Sequence, residues 1–414
     1  MNKEICKYDS CTGCMACVNV CTHHAIHIIH DGEGFDRPKI EEELCVNCGL
    51  CQKVCPINHH PTTNEPQKVY SGWSLNEEVR LYSSSGGAFS EIARPILAAG
   101  GVVFGCALNA ALQAEHTYVE TMEELASKLR GSKYVQSRIG DSYSQAKAFL
   151  MQGRKVLFSG TPCQIAGLKN YLHKEYEHLI TVDLICHGVP SPLVFENYKE
   201  FMQHRENMKL TSVKFRCKKS SWIFFNMTLK GHVEKSGASK TYNGSYYDDP
   251  YIRGFLRDYF LRPSCHQCHF ASTQRCSDFT IADWWGYKRE RDEDKDYACK
   301  GVSLIMANTA KAVELVANMK MSLRERTVEE AKKTNKCLYT SFPQNENRES
   351  FWNDYRIMTF EELVSKYMRP ERISWSVNLR QHYKNTDTFV SFVHLLMLPM
   401  RIINKIKKTI KVLE

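Results

Sequence analysis

No run of the 414-residue chain is long and apolar enough to cross a bilayer as a helix. The nearest is FVSFVHLLMLPM, twelve residues at 389–400, against the about 20 that a spanning helix requires. The first ten residues, MNKEICKYDS, lack the apolar centre of a secretory signal. A cytoplasmic, reducing setting is therefore expected. No G-x-G-x-x-G follows a strand-like segment, which argues against a Rossmann dinucleotide site. Nucleic-acid motifs are missing as well, so no nucleic-acid partner is expected despite a net charge of +9. That charge is uneven. The first sixty residues hold five Lys/Arg against eight Asp/Glu, so the positive excess lies wholly beyond them. A basic body attracts anionic cofactors or membrane surface, or is ordinary surface bias. No single acid or base stands out as catalytic.

What the chain has in excess is cysteine, 18 in all. In a reducing compartment clustered thiols read first as metal ligands. Four fall in CTGCMACVNVC, as Cys11, Cys14, Cys17 and Cys21. Four more fall in CVNCGLCQKVC, as Cys45, Cys48, Cys51 and Cys55, each 34 residues after its counterpart. The spacing C-x2-C-x2-C-x3-C is that of bacterial ferredoxins, in which the fourth cysteine of each run ligates the other cluster. Cys11, Cys14, Cys17 and Cys55 then hold one [4Fe-4S] cluster, and Cys45, Cys48, Cys51 and Cys21 the second. Pro56 follows Cys55 as the motif prefers, and Thr22 stands where the first run would have proline. Gly13 and Gly49 fit the tight loops. Structural zinc is the rival, but three cysteines at x2, x2 suit one tetrahedral ion poorly. Cys6 has no part in this scheme.

The domain plan follows. Residues 1–57 form the ferredoxin-like unit, and 58–68, around NHHPTTNEPQ, a polar linker. Residues 69–310 form the body and 311–414 a helical C-terminal region with a basic tail. Apolar strand-like runs at 100–108, 155–159 and 179–186 alternate with amphipathic helical segments at 121–130, 141–153 and 162–172. That order predicts an α/β body with parallel strands after a small α+β domain. Aromatic and β-branched residues at 210–260 suggest added antiparallel strands. In the tail, RIINKIKKTIKVLE follows the apolar 389–400 run. Peripheral membrane contact, on the inner face, is one reading of it; a core or partner-docking helix is another. A homo-oligomer is compatible with either.

FSGTPCQIAG places Cys163 near a helix start, where a thiolate is favoured. LICHGVPSP places Cys186 and His187 just past the next strand. Strand carboxyl ends are where open parallel sheets bind ligands. RPSCHQCHF adds Cys265 and Cys268, with Cys276 further on. Cys163, Cys186, Cys265 and Cys268 are expected to hold a third [4Fe-4S] cluster, with Cys276 in reserve. A redox-active thiol at Cys163 is the chemical alternative, and packing roles with a minor zinc site the structural one. SSSGGAFSEIA, with Ser85, Gly86 and Gly87, suits a phosphate at a helix start. LRGSKYVQS adds Arg130, Gly131, Ser132, Lys133, Tyr134 and Gln136. A simple N-cap and a solvated helix end would look alike.

Taken together, SSSGGAFSEIA, LRGSKYVQS, FSGTPCQIAGL, VDLICHGVPSP and RPSCHQCHF…SDFTIADWWG resemble the beta subunit of coenzyme F420-reducing hydrogenase and dehydrogenase, over roughly residues 70–310. That family includes plant 7-hydroxymethyl chlorophyll a reductase. The resemblance implies a non-Rossmann α/β flavoprotein with FAD and an iron–sulfur cluster in the body. It makes the two loops and Thr161 flavin-contact candidates and Asp283 a cofactor-proximal acid. Ala282 stands where the family commonly has glycine. The reading is an iron–sulfur flavoprotein oxidoreductase, passing electrons from a ferredoxin or similar donor through clusters to FAD and a small organic substrate. His187 and Lys133 are the candidate proton donors. An electron-transfer subunit docking on a catalytic partner is the alternative.

Overall fold

The computed structural model describes residues 4–218, 221–290 and 294–370. The apolar 389–400 run and the basic tail lie outside these residues, and so does the membrane or docking role expected of them. Among the described residues no helix is long and apolar enough to cross a membrane.

The N-terminal unit is built around a hairpin of β1 (Ile26–His30) and β2 (Asp36–Ile40), with short helices Ala16–Val20 and Leu50–Lys53 each following a cysteine loop. The body centres on an eight-stranded sheet. Its strands are β3 (Lys68–Ser74), β4 (Val102–Leu108), β5 (Ala114–Val119), β6 (Val156–Ser159), β7 (Leu179–Leu184), β11 (Phe279–Asp283), β12 (Ser303–Ala307) and β13 (Met321–Arg326). The order is β13-β3-β12-β11-β7-β6-β4-β5. The four strands β11, β7, β6 and β4 run parallel, and β12, β3, β13 and β5 each join the sheet by antiparallel pairing with their neighbours. A separate antiparallel sheet joins β8 (Lys209–Cys217), β9 (Asn226–His232) and β10 (Ser239–Ser245).

The central parallel strands are nearly continuous apolar runs because both faces are covered. Alternation sends Val103, Leu157 and Ile180 to one face, under helix Ala88–Ala98. Val102, Phe104, Val156 and Phe158 go to the other, under helices Ser142–Met151 and Pro162–Leu172. Cys14, Met15, Ala16 and Val54 of the N-terminal unit join that second core. Each fully buried side chain of Val or Met size contributes about 1.5–3 kcal/mol. The two domains are thus fused through an apolar seam.

Three expectations shift. The body does not stop at 310, because β13 completes the sheet edge beside β3. MSLRER reads as a charged surface helix because an edge strand carries the same charges, which guard its unpaired backbone. The 121–130 helix is one α turn, Met122–Glu124, that widens into a π turn at Leu125–Leu129. The linker is strapped down: Asn64 and Arg275 exchange both backbone hydrogen bonds, at 2.8 and 2.9 Å.

Candidate functional site

The eight N-terminal cysteines gather into two groups, each drawing from both runs. Cys11, Cys14, Cys17 and Cys55 line one small cavity, the inner cradle. Cys21, Cys45, Cys48 and Cys51 line another, the outer cradle. The two loops share one backbone path. Gly13 and Met15 in the first, and their counterparts Asn47 and Gly49 in the second, all have positive φ, between 57° and 73°. At Gly13 only glycine fits, since a Cβ would sit 2.5 Å from Gln136 Nε2 and 2.7 Å from Arg262 Nη1.

Cys163, Cys186, Cys265 and Cys268 line a third small cavity, the body cradle. The turn after β6 brings Cys163, and the exit of β7 brings Cys186. The short turn Pro263–Gln267 brings Cys265, and Cys268 follows it. Thr161 Oγ1 lies 3.1 Å from Cys163 Sγ, and the Val189 amide donates to Cys265 Sγ at 3.3 Å. Cys276, the expected reserve, lies in the apolar core beneath helix Pro162–Leu172 and does not line this cradle. Burial pushes the thiols up, Cys163 to about 11 and Cys265 to about 12, with Cys186 well above its usual value. Thiolates so placed need positive charge among them, which cluster iron would supply. Among the described residues no three His, Cys, Asp or Glu converge as a single-ion site does. Mononuclear ligands all sit about 2.0–2.3 Å from one centre; the sulfurs of a cubane stand further apart. The donor sets fit [4Fe-4S].

Above the body cradle, at the carboxyl edge of the parallel strands, lies a cavity of about 500 Å³, within the range that takes a cofactor-sized ligand. Ser85, Gly87, Arg130, Gly131, Ser132, Lys133, Tyr134, Gln136, Thr161, His187 and Asp283 all line it. Gly86 does not. It packs behind the wall, where a Cβ would meet the Gly72 carbonyl at 2.4 Å. The serine and basic loops are joined, as the Ser132 amide donates to Ser84 Oγ at 2.8 Å. Arg130 presents a buried Nε with no partner. Lys133 Nζ donates to the Lys128 and Leu129 carbonyls at 3.0 and 2.8 Å, leaving one N–H of its three free for the cavity. Burial pulls Lys133 down to about 8. Tyr134 is committed to protein rings, stacking on Phe255 at 4.8 Å. Asp283 is already paired: it accepts from Trp222 Nε1 at 2.6 Å and from Arg216 Nη1. The unpartnered Nε and Nη2 of Arg216 remain buried at the cavity wall.

Of the remaining residues around the site, His116, Arg262 and Thr12 carried no sequence signal, whereas His187 did. His116 is buried, with Nε2 3.0 Å from the Ser159 carbonyl and Nδ1 2.6 Å from Ser137 Oγ. The carbonyl can only accept, so Nε2 carries the proton and Nδ1 accepts from Ser137. Burial pushes this histidine down to about 4. His187 Nε2 lies 2.6 Å from Asp258 Oδ1, and His187 lines both the cavity and the body cradle. Arg262, fully buried, clamps the domains: Nε donates to the Cys11 carbonyl at 2.7 Å, Nη2 to the Asp36 carbonyl at 3.1 Å and Nη1 to Gln136 at 3.3 Å. Thr12 lines the inner cradle, the body cradle and the cavity alike.

Residues 153–333 match the family described by the C terminus of the beta subunit of coenzyme F420 hydrogenase/dehydrogenase, and residues 10–59 match the 4Fe-4S dicluster domain. One of the subunits of F(420)H(2) dehydrogenase from Methanosarcina mazei is 21% identical over 193 residues, 44% of this chain and 55% of that protein. The chain thus spans about half the length of that relative. A 7Fe ferredoxin of Hydrogenibacillus schlegelii is 36% identical over 58 residues, 13% of this chain and 68% of that protein. A chain of the F420-reducing [NiFe] hydrogenase complex from Methanosarcina barkeri is similar with a TM-score of 0.41 and 15% identity, covering 75% of this chain and 98% of that one. This chain therefore carries, at residues 153–333, the C-terminal domain of the coenzyme F420 hydrogenase/dehydrogenase beta subunit, and, at residues 10–59, a 4Fe-4S dicluster domain.

Proposed function

From these two domain matches and the geometry of the site we propose that this chain is an iron–sulfur flavoprotein oxidoreductase. It takes electrons at the N-terminal domain and delivers them to a small organic substrate in the cavity. The observation that carries this reading is the position of Thr12, shared by the inner cradle, the body cradle and the cavity. The three sites are contiguous, and the outer cradle extends the series toward water through the exposed Cys48. A reduced ferredoxin or similar protein is the donor.

The twelve cysteines of the three cradles are the cluster ligands. Bound clusters supply single-electron relay, and FAD in the cavity supplies the exchange between one- and two-electron chemistry. The chain's own residues do the rest. Arg130 and the remaining N–H of Lys133 attract an anionic pyrophosphate, and Gly131, at φ +94°, turns the backbone beside it. Arg216, fixed by Asp283, sets a positive wall under Trp285. His187, oriented by Asp258, holds a proton between the body cradle and the cavity, and Lys133 holds a second.

A second reading draws on the Methanosarcina mazei relative, which is itself named as one subunit of a dehydrogenase. On it, the chain passes electrons to a catalytic partner. Iron, acid-labile sulfide and flavin per chain after anaerobic purification separate the two. About twelve irons with about one FAD support the full relay. About eight irons with FAD remove the body cluster. Clusters without flavin overturn the oxidoreductase reading and leave the carrier.

A further inference from the structure

This inference rests only on the assignment of a [4Fe-4S] cluster to the inner cradle. Cys6 belongs to neither cysteine run, yet it lines that cradle together with Cys11, Cys14, Cys17 and Cys55. Its side chain neighbours those of Cys11 and Cys55 on the cradle wall. The cradle therefore holds five sulfurs where a cubane takes four. The outer cradle, its twin in sequence, holds four.

The fifth sulfur is held in place by its neighbours. Ile5 is buried in the small core with Cys17 and Cys55. Gln52 Nε2 donates to the Glu4 carbonyl at 3.0 Å, and Asn58 Nδ2 to the Ile5 carbonyl at 2.8 Å. The stretch of chain carrying Cys6 is thus tied to the segment that carries Cys51 and Cys55. Cys14, Cys17 and Cys55 are buried, whereas Cys6 and Cys11 are half-buried, and the cysteines beside Cys6 are Cys11 and Cys55.

We propose that Cys6 is an exchangeable fifth ligand of the inner cluster, standing in for Cys55 or Cys11 when either bond opens. In the exchange one iron–sulfur bond to Cys55 breaks and one to Cys6 forms. The proton leaves Cys6 and goes to the released Cys55 thiolate. Iron, charge and electron count are unchanged, so the cluster survives an event that would otherwise shed iron.

The test uses the full-length chain purified anaerobically, reading iron, sulfide and the EPR spectrum of the reduced protein. Wild-type iron reports on the cluster assignment itself; too little there sinks that assignment before Cys6 is at issue. With wild-type iron complete, Cys55→Ala is expected to keep its iron with an altered EPR spectrum. The double variant Cys6→Ala/Cys55→Ala should lose the iron of one cluster, about four atoms. Cys14→Ala, away from Cys6, should lose it with Cys6 present. Equal loss in Cys55→Ala and the double variant overturns the proposal. If Cys55→Ala does not fold, Cys6→Ala alone decides under a chelator. Its cluster absorption should bleach several-fold faster than wild type, and equal rates overturn the proposal.

Discussion

The two halves of the N-terminal domain have the same cysteine spacing and the same positive-φ turns, yet they live in different surroundings. The inner cradle has Cys14, Cys17 and Cys55 each at 7% exposure, packed on the body and clamped by Arg262. The outer cradle leaves Cys48 exposed, with Val46 at 57% exposure and Glu41, Glu42 and Glu43 close by in sequence. Repetition of the ligands specifies what is bound. The company each loop keeps specifies what the bound group can reach: protein on one side, a donor in solution on the other.

The strongest way to break this contrast is to remove one ligand from each side. Cys14→Ala and Cys48→Ala should each lose about four irons, but only Cys14→Ala should also lower the thermal unfolding midpoint of the body, because its sulfur packs against helix Pro162–Leu172. A Cβ on Gly167 would lie 3.0 Å from it. Equal shifts in calorimetry would erase the distinction between inner and outer. Next, Arg262→Met removes four hydrogen bonds from a buried guanidinium, one of them to Cys11 Sγ at 3.6 Å. Bonds to charged groups contribute about 1.5–3 kcal/mol each without adding fully, so a loss of about 3–5 kcal/mol is expected, with faster proteolysis in the 58–68 linker.

Acid should act on the inner side. His116, on the cavity wall, stays neutral when folded, down to about pH 4, while an unfolded histidine protonates near 6.5. Its depressed value contributes stability that is complete above about 6.5 and is lost as the pH falls toward 4, about 3 kcal/mol in all. His116→Gln should flatten that part of the stability–pH curve relative to wild type in denaturant titrations at pH 7 and pH 5. The finest contrast is between glycines. Gly13→Ala meets Gln136 and Arg262 and should cost about 2–4 kcal/mol, from backbone strain and overpacking together. Gly49→Ala meets nothing within 4 Å and should cost about 1–2 kcal/mol, from its φ of +73° alone. Chemical denaturation of both reads the difference.

Much of this was legible in the sequence. Cysteine spacing is a local property, so the crossed grouping of the eight N-terminal cysteines around two cradles could be read directly. The body cradle was legible one step less directly, from cysteines placed just past strand ends, and the loops at 83–93 and 129–137 converged on one cavity as their residue types suggested. What escaped was fixed by distant partners. Arg262 looked like a basic residue beside a cysteine pair, and nothing local says that it reaches Cys11. Cys6 had no spacing to mark it. Asp283 looked like an available acid because its partner, Arg216, lies on another sheet. β13 passed for a helix because edge strands and surface helices both carry charge.

The strap between Asn64 and Arg275, with the Arg262 clamp, bears on how such chains can be recombined. A ferredoxin unit on a loose tether is a cartridge: any copy with the right ligands can be swapped in. Here the unit is keyed to its socket by a glycine that leaves room for a guanidinium, a backbone bridge and an apolar seam. A graft from another protein would bring iron and still fit badly, so the two segments are expected to have diversified in step, as one inherited piece.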